Sequence, residues 1–271
     1  MACMLGLLQD RILMYHGTPR RDAEALERQL RLVSLAFPVV PLESLKERRA
    51  GRARVALTFD DGLRNNVEVA YPILHKLGLT ATFFVCPGLI DGRRWLWNHE
   101  ARQRLVFLGK HPARADAMVE RMKAMKIARR REVEDSIRRA SPGFAPSAAQ
   151  CEEFDLATWD ELRSLDPAVV SVGSHTMTHP ILTSLSEEET EAETRDSRFT
   201  IENRLQRAVS VFCYPNGELN DGALASARRH YRSAVTVETG TLDERVDPHL
   251  MPRYAAHAQW TRRLARRMVL G

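Results

Sequence analysis

The chain has 271 residues, 44% hydrophobic and 7% aromatic, with 40 Lys and Arg against 35 Asp and Glu and a formal net charge of +5. This composition can bury a sizeable core and excludes disorder as the default state, and so small a surplus of charge does not single out a polyanionic partner. Four widely separated cysteines (Cys3, Cys86, Cys151, Cys213), with no CxxC pair, exclude a disulfide scaffold and fit a reducing compartment.

The opening MACMLGLLQDRILMYHG has no basic start, and Gln9, Asp10 and Arg11 interrupt its apolar run before a signal-peptide core develops. No stretch reaches the roughly 20 apolar residues that span a bilayer. The expected location is cytoplasmic or peripheral to the membrane. Length leaves the domain count open between one and two, but α/β barrels of about 250 residues commonly form one domain, so a single domain over 1–271 is expected.

Arg11 to His16 (RILMYH) reads as a buried strand ending in polar groups. A helix follows from Asp22 to about Ala36, with Ala23, Leu26, Leu30 and Val33 at helical spacing. Ala53 to Phe59 is β-prone and runs directly into Asp60, Asp61 and Gly62. A helix from about Asn66 to Leu77 stops at Gly78, and Leu79 to Val85 reads as the next strand, completing a βαβ unit and implying a parallel sheet.

From about 90 to 150 the periodicity turns helical and the charge density rises, which reads as a helical insertion. The boxes Thr158 with Glu161 and Ser186 with Glu189 each mark a helix start, the second helix running to about Leu205. Between them, Ala168 to Val172 reads as a strand ending at Gly173, with SHTMTHP as the following loop. Ala208 to Tyr214 and Arg232 to Val237 read as strands, separated by a helix over about 222–230. A basic helix is expected to end the chain. The count of about seven strands alternating with helices favours a barrel or an open doubly wound sheet, and in either case ligands sit at the C-terminal strand ends. DDG, SHTMTH and YPNG all follow strands and should share one mouth.

His175 and His179 are spaced as ligands on a helix would be, but Gly173 and Pro180 around them argue for a loop. With a carboxylate they make a three-ligand metal site that leaves positions open for water and substrate. Side chains leaving a strand alternate in direction, so one member of the Asp60–Asp61 pair can bind metal while the other accepts a proton. DDG is also ordinary turn and helix-capping chemistry.

TFDDG (Thr58 to Gly62), SHTMTH (Ser174 to His179) and the YPNG turn (Tyr214 to Gly217), in this order, resemble the polysaccharide deacetylase family, the NodB-like carbohydrate esterases of family four. The similarity runs from about Arg11 to Arg253, leaving out 90–150. It implies a distorted (β/α) barrel in which Asp60 is the general base and Asp61, His175 and His179 hold one divalent ion. Zinc is foremost, with cobalt, nickel or manganese as the other first-row choices. The ion polarises the acetamide carbonyl and lowers the pKa of its water towards about 7. The tetrahedral oxyanion is met by a backbone N–H of the Tyr214–Pro215–Asn216 turn, from Asn216 or Tyr214.

In the branch that this chain resembles most, which deacetylates poly-N-acetylglucosamine-type exopolysaccharides, a histidine ending the first strand is the general acid, in a motif like LMYH. His16 matches it, and His257 in MPRYAAH is the alternative. Many family members carry an Arg two residues before the proline of the third motif, where this chain has Cys213, and the Asp-Trp motif is missing. Arg253 in LMPRY is the candidate to orient the base and keep it ionised. Ser174 and Thr178 flank the ligands and could steady the imidazoles or serve packing and turn roles, and Trp95 and Trp97 could stack on a sugar or be buried.

The implied activity is metal-dependent removal of N-acetyl groups from an amino-sugar glycan. An alternative keeps the site but acts as a deformylase or deacetylase on a lipid-linked or nucleotide-linked amino sugar, and another is an inactive glycan-binding module. The basic runs Arg121 to Arg139 and Thr261 to Arg267 could touch an anionic membrane surface or be solvated helix faces. No nucleic-acid partner is expected, since no recognition motif accompanies them.

Overall fold

A computed structural model describes residues 9–46 and 52–264. The expectations for the first eight residues and for the end of the basic C-terminal helix therefore lie outside the described residues, apart from a helical turn over 261–264.

Among the described residues one seven-stranded parallel sheet is present, in the order β6-β5-β4-β3-β2-β1-β7. Its strands are β1 (Arg11–Tyr15), β2 (Val55–Phe59), β3 (Ala81–Val85), β4 (Val170–Ser174), β5 (Val211–Cys213), β6 (Ser233–Val235) and β7 (Tyr254–Ala255). β1, β2 and β3 are buried along their whole length, as strands of a parallel sheet covered on both sides must be. Residues of one parity (Leu13, Tyr15, Val55, Leu57, Phe59, Phe83, Val85) join the large core beneath the helices. Those of the other parity (Ile12, Ala56, Phe84, Val211, Cys213, Val235) form a second cluster inside the curled sheet.

The curl makes a distorted (β/α) barrel, closed by the segment that follows β6. Met251 bridges in parallel to Val235 of β6, and Tyr254, three residues on, pairs with Leu13 of β1. This segment is the seventh strand that counting anticipated without locating. It is short and interrupted by Pro252, which cannot donate to a ladder.

The helices flanking the first strands are α1 (Ala23–Ala36) and α2 (Tyr71–Leu77), and a π-helical stretch over Asn66–Ala70 leads into the latter. The expected helix over 66–77 is therefore two helical forms in series. The insertion comprises α3 (Pro87–Asp91), α4 (Trp97–Phe107), α5 (Pro112–Lys123), α6 (Ile127–Ala140) and α7 (Ala148–Phe154). Its apolar residues Trp97, Leu105, Val119, Met122 and Ile137 cluster with one another and with Ile181, just past the second histidine. Its basic residues are largely paired: Arg130 with Glu134, Arg138 with Glu100 and Arg129 with Glu132.

The expected capping boxes open α8 (Trp159–Ser164) and α9 (Glu187–Leu205), and the last flanking helix is α10 (Asp221–His230). β4 continues through Ser174 rather than ending at Gly173. A Cβ at Gly173 would lie 2.5 Å from the Phe84 ring, so glycine here is a strand residue that admits a neighbouring side chain. No helix among the described residues is long and apolar enough to cross a membrane.

Candidate active site

Strand parity separates the two aspartates. Ala56 faces the barrel interior and Thr58 and Asp60 share its parity. Asp60 meets Arg253 there, with Nη1 2.7 Å from Oδ1 and Nη2 2.7 Å from Oδ2. Both residues are buried, and Arg253 also donates to Thr58 Oγ1 (3.0 Å) and the Thr236 carbonyl (2.7 Å). Burial alone raises the pKa of Asp60. The guanidinium charge and its paired hydrogen bonds outweigh that and hold the carboxyl well below the usual carboxylate range.

Asp61 turns the other way through a left-handed backbone, φ 75°, followed by Gly62 at φ 68°. A Cβ on Gly62 would press to 3.1 Å on Val85, so the turn requires glycine on two counts. Asp61 Oδ1 lies 3.6 Å from His175 Nε2 and 3.5 Å from His179 Nε2, and the two imidazole centroids are 4.7 Å apart. Burial holds both histidines below their ordinary pKa, His179 at about 3, so both are neutral and able to present lone pairs.

The loop holding the imidazoles is strained at Thr176 (φ 67°) and His179 (φ 55°). Thr176 spans it: its Oγ1 accepts from His179 N at 3.0 Å and donates to the His175 carbonyl. Of the two roles open to Ser174 and Thr178, ring support and packing or turn roles, the first is not taken up, since neither residue bonds to an imidazole. Ser174 bonds to Ser197 in a buried hydroxyl cluster, and Thr178 donates both N–H (2.9 Å) and Oγ1–H (2.6 Å) to Glu193 of α9. The His175 ring is fixed by Nδ1 donating to the Cys213 carbonyl at 2.8 Å, which leaves Nε2 free towards Asp61.

The ligand atoms of Asp61, His175 and His179 all lie within 4.8 Å of one another, and those of Asp60, His175 and Cys213 do also. Only the first set fits a cation. In the second, Arg253 occupies both oxygens of Asp60 and approaches Cys213 Sγ to 3.2 Å, and burial keeps that sulfur a thiol. One carboxylate and two neutral imidazoles suit a first-row divalent ion and leave coordination positions open.

His16 follows β1 at the rim, with Nε2 4.0 Å from Asp60 Oδ2 and about half of its side chain exposed (53%). The loop behind it is pinned where Thr18 N donates to Asn65 Oδ1 (2.9 Å) and Thr18 Oγ1 to Asn66 Oδ1 (2.9 Å). His257 is exposed on the same rim, where its Nδ1 accepts from Gln259 N and caps a turn, and no contact joins it to either aspartate. In the third motif Tyr214 N–H is taken by the Val235 carbonyl (3.3 Å), and Pro215 has no N–H. Asn216, at φ 54°, keeps a backbone N–H without a backbone acceptor among the described residues.

Both tryptophans of the insertion are buried. Trp97 donates Nε1–H to the His179 carbonyl at 3.1 Å beneath the Arg130 guanidinium, and Trp95 donates to Asp155 at 2.7 Å. Neither is free to stack on a sugar. Sequence reading passed over Thr176, Glu193 and His99 of α4, which shares a cavity of about 490 Å³ with His16, Asp61, Asn65, His257 and Trp260. Only the hydroxyl between two ligands carried a readable signal, for Thr176. A larger cavity of about 690 Å³, lined by Arg93, Arg94 and Trp159, holds no candidate catalytic residue.

The family model described as Polysaccharide deacetylase matches residues 47–235. A putative polysaccharide deacetylase of Bacillus subtilis, YxkH, is 22% identical over 241 residues, 84% of this chain and 64% of the relative, so the chain spans less than two thirds of that relative's length. Among solved structures, the Streptococcus pyogenes deacetylase PplD in complex with acetate is 20% identical with a TM-score of 0.66, over 97% of this chain and 99% of that one. IcaB from Ammonifex degensii is 17% identical with a TM-score of 0.65, over 96% and 97%. At these identities the structural matches speak for the fold.

Proposed function

Because the chain belongs to the polysaccharide deacetylase family, we propose that it hydrolyses the acetamide of an N-acetylated amino sugar within a glycan, with one divalent ion held by Asp61, His175 and His179. The observation that carries this reading is the division of labour between adjacent carboxylates, one facing two neutral imidazoles and the other an arginine fork. An ion in that site, zinc for preference, supplies Lewis-acid polarisation of the amide carbonyl.

Asp60, kept ionised by Arg253, takes a proton from the attacking water as its oxygen bonds to the carbonyl carbon. Asn216 N–H is the backbone donor left in the third-motif turn for the oxyanion that forms. His16, on the rim beside Asp60, delivers a proton to the departing amine as the C–N bond breaks, giving acetate and a free amino sugar. His16 is preferred to His257 because it alone of the two lies within 4.0 Å of the carboxylate pair.

The test is metal analysis together with identification of the acid released from N-acetylglucosamine oligomers. Wild-type protein releases acetate, Asp61→Asn loses the ion, and His16→Ala keeps it but turns over at least a hundredfold more slowly. Full metal content and turnover in Asp61→Asn overturns the ligand assignment. Formate from a formylated amino sugar, with no acetate from the oligomers, overturns the acetamide assignment.

A further inference from the structure

α4 carries a histidine that neither the three motifs nor the proposed chemistry employs. His99 lies in the first turn of the helix, two residues beyond Trp97, and Trp97 is anchored on the His179 carbonyl. The Phe154 ring meets the His99 ring at an angle of 66° and a centroid distance of 4.8 Å, which sets the plane of the imidazole. Its side chain is half-buried and lines the cavity with Asp61 and His16.

Neither ring nitrogen of His99 has a hydrogen-bond partner among the described residues, unlike His175, whose Nδ1 is fixed on a carbonyl. A partly buried imidazole, held in orientation and given no partner by the protein, has its hydrogen-bonding capacity available to whatever enters the cavity. Burial favours its neutral form, which offers one donor and one acceptor and so suits a hydroxyl-rich ligand. The cavity volume of about 490 Å³ falls within the usual range for small-ligand sites.

We propose that His99 is a substrate-contacting residue, hydrogen-bonded through its ring nitrogens to hydroxyl groups of the amino sugar whose acetamide lies over Asp61. The inference rests on the glycan reading of the site and deepens it: the insertion does more than cover the barrel, and its first long helix supplies one wall of the sugar site. His99 takes no part in proton transfer and does not hold the ion.

The experiment measures Kd for N-acetylglucosamine oligomers, KM and kcat for acetate release, and bound metal, in wild-type protein, His99→Ala and His99→Gln. His99→Ala weakens binding and raises KM about five- to tenfold, as expected for one or two lost hydrogen bonds, with kcat and metal content changed far less. His99→Gln, which keeps a donor and an acceptor, recovers most of the loss. Equal Kd and KM in wild type and His99→Ala overturns the inference while leaving the deacetylase reading intact, and so does loss of the ion in both variants. A wild-type protein that neither binds nor deacetylates the oligomers overturns both.

Discussion

Arg253 and Asp60 are 193 positions apart in the chain, yet they meet as a planar fork on a carboxylate, with two N–H···O contacts of 2.7 Å inside the barrel. The guanidinium arrives from the interrupted strand that closes the barrel, between the Met251 bridge to β6 and the Tyr254 pairing with β1. Barrel closure and the state of the candidate base are thus one structural fact.

Arg253→Met should therefore act on stability and chemistry together. It leaves Asp60 buried without its counter-charge, at a cost of about 3–5 kcal/mol in urea unfolding. Burial, no longer opposed by the guanidinium, then raises the Asp60 pKa. The acid limb of the pH profile of kcat/KM is expected to move to higher pH. An unmoved limb in a folded variant excludes Asp60 as the group that must be ionised.

The metal-free protein should lose stability as pH falls below about 6.5. His175 and His179 resist protonation in the folded state and accept it once unfolded, so the unfolded chain binds more protons between the ordinary histidine pKa and the folded value, about 3 for His179. Stability then falls with decreasing pH, by about 1.4 kcal/mol per pH unit for each such histidine. Asp60, with its pKa lowered by Arg253, adds a loss of the same sign only below the ordinary carboxylate range. Urea midpoints of the metal-free protein at pH 7, 6 and 5 test this, and a flat response excludes buried neutral imidazoles.

Glu193→Ala should loosen the ion without unfolding the barrel. Glu193 accepts from both Thr178 N and Thr178 Oγ1, one residue before His179, and so anchors a loop in which Thr176 and His179 hold left-handed backbones. Zinc affinity measured by chelator competition is expected to fall by up to about 10-fold, the low end of the cost of losing a partner of a ligand side chain, because Glu193 acts through Thr178 and the loop backbone. Unchanged affinity would place the rigidity of the loop elsewhere.

The sheet was legible because its strands are apolar runs cut by polar turns, and the two capping boxes opened helices where serine or threonine stood three residues before glutamate. β4 was read one residue short because a glycine looks like a strand end. Only the packed barrel reveals that Gly173 makes room for the Phe84 ring. Adjacency to the ligands leaves Ser174 and Thr178 open to ring support or to packing and turn roles, and the fold decides for the latter, directing them to Ser197 and Glu193.

By itself the sequence determined the local chemistry: carboxylates at a strand end, two histidines in a glycine-to-proline loop, and a histidine after the first strand. These follow from residue types and near neighbours, where the alternation of side chains along a strand operates over a few positions. Tertiary structure decided which distant groups share a dielectric environment. It brought the Arg253 guanidinium rather than a metal site to Asp60, committed the Tyr214 N–H to the sheet and left that of Asn216 without a backbone acceptor among the described residues, buried both insertion tryptophans, and turned His99 towards the mouth. Such pairings depend on how strands and helices pack in three dimensions, and no local pattern along the chain records that.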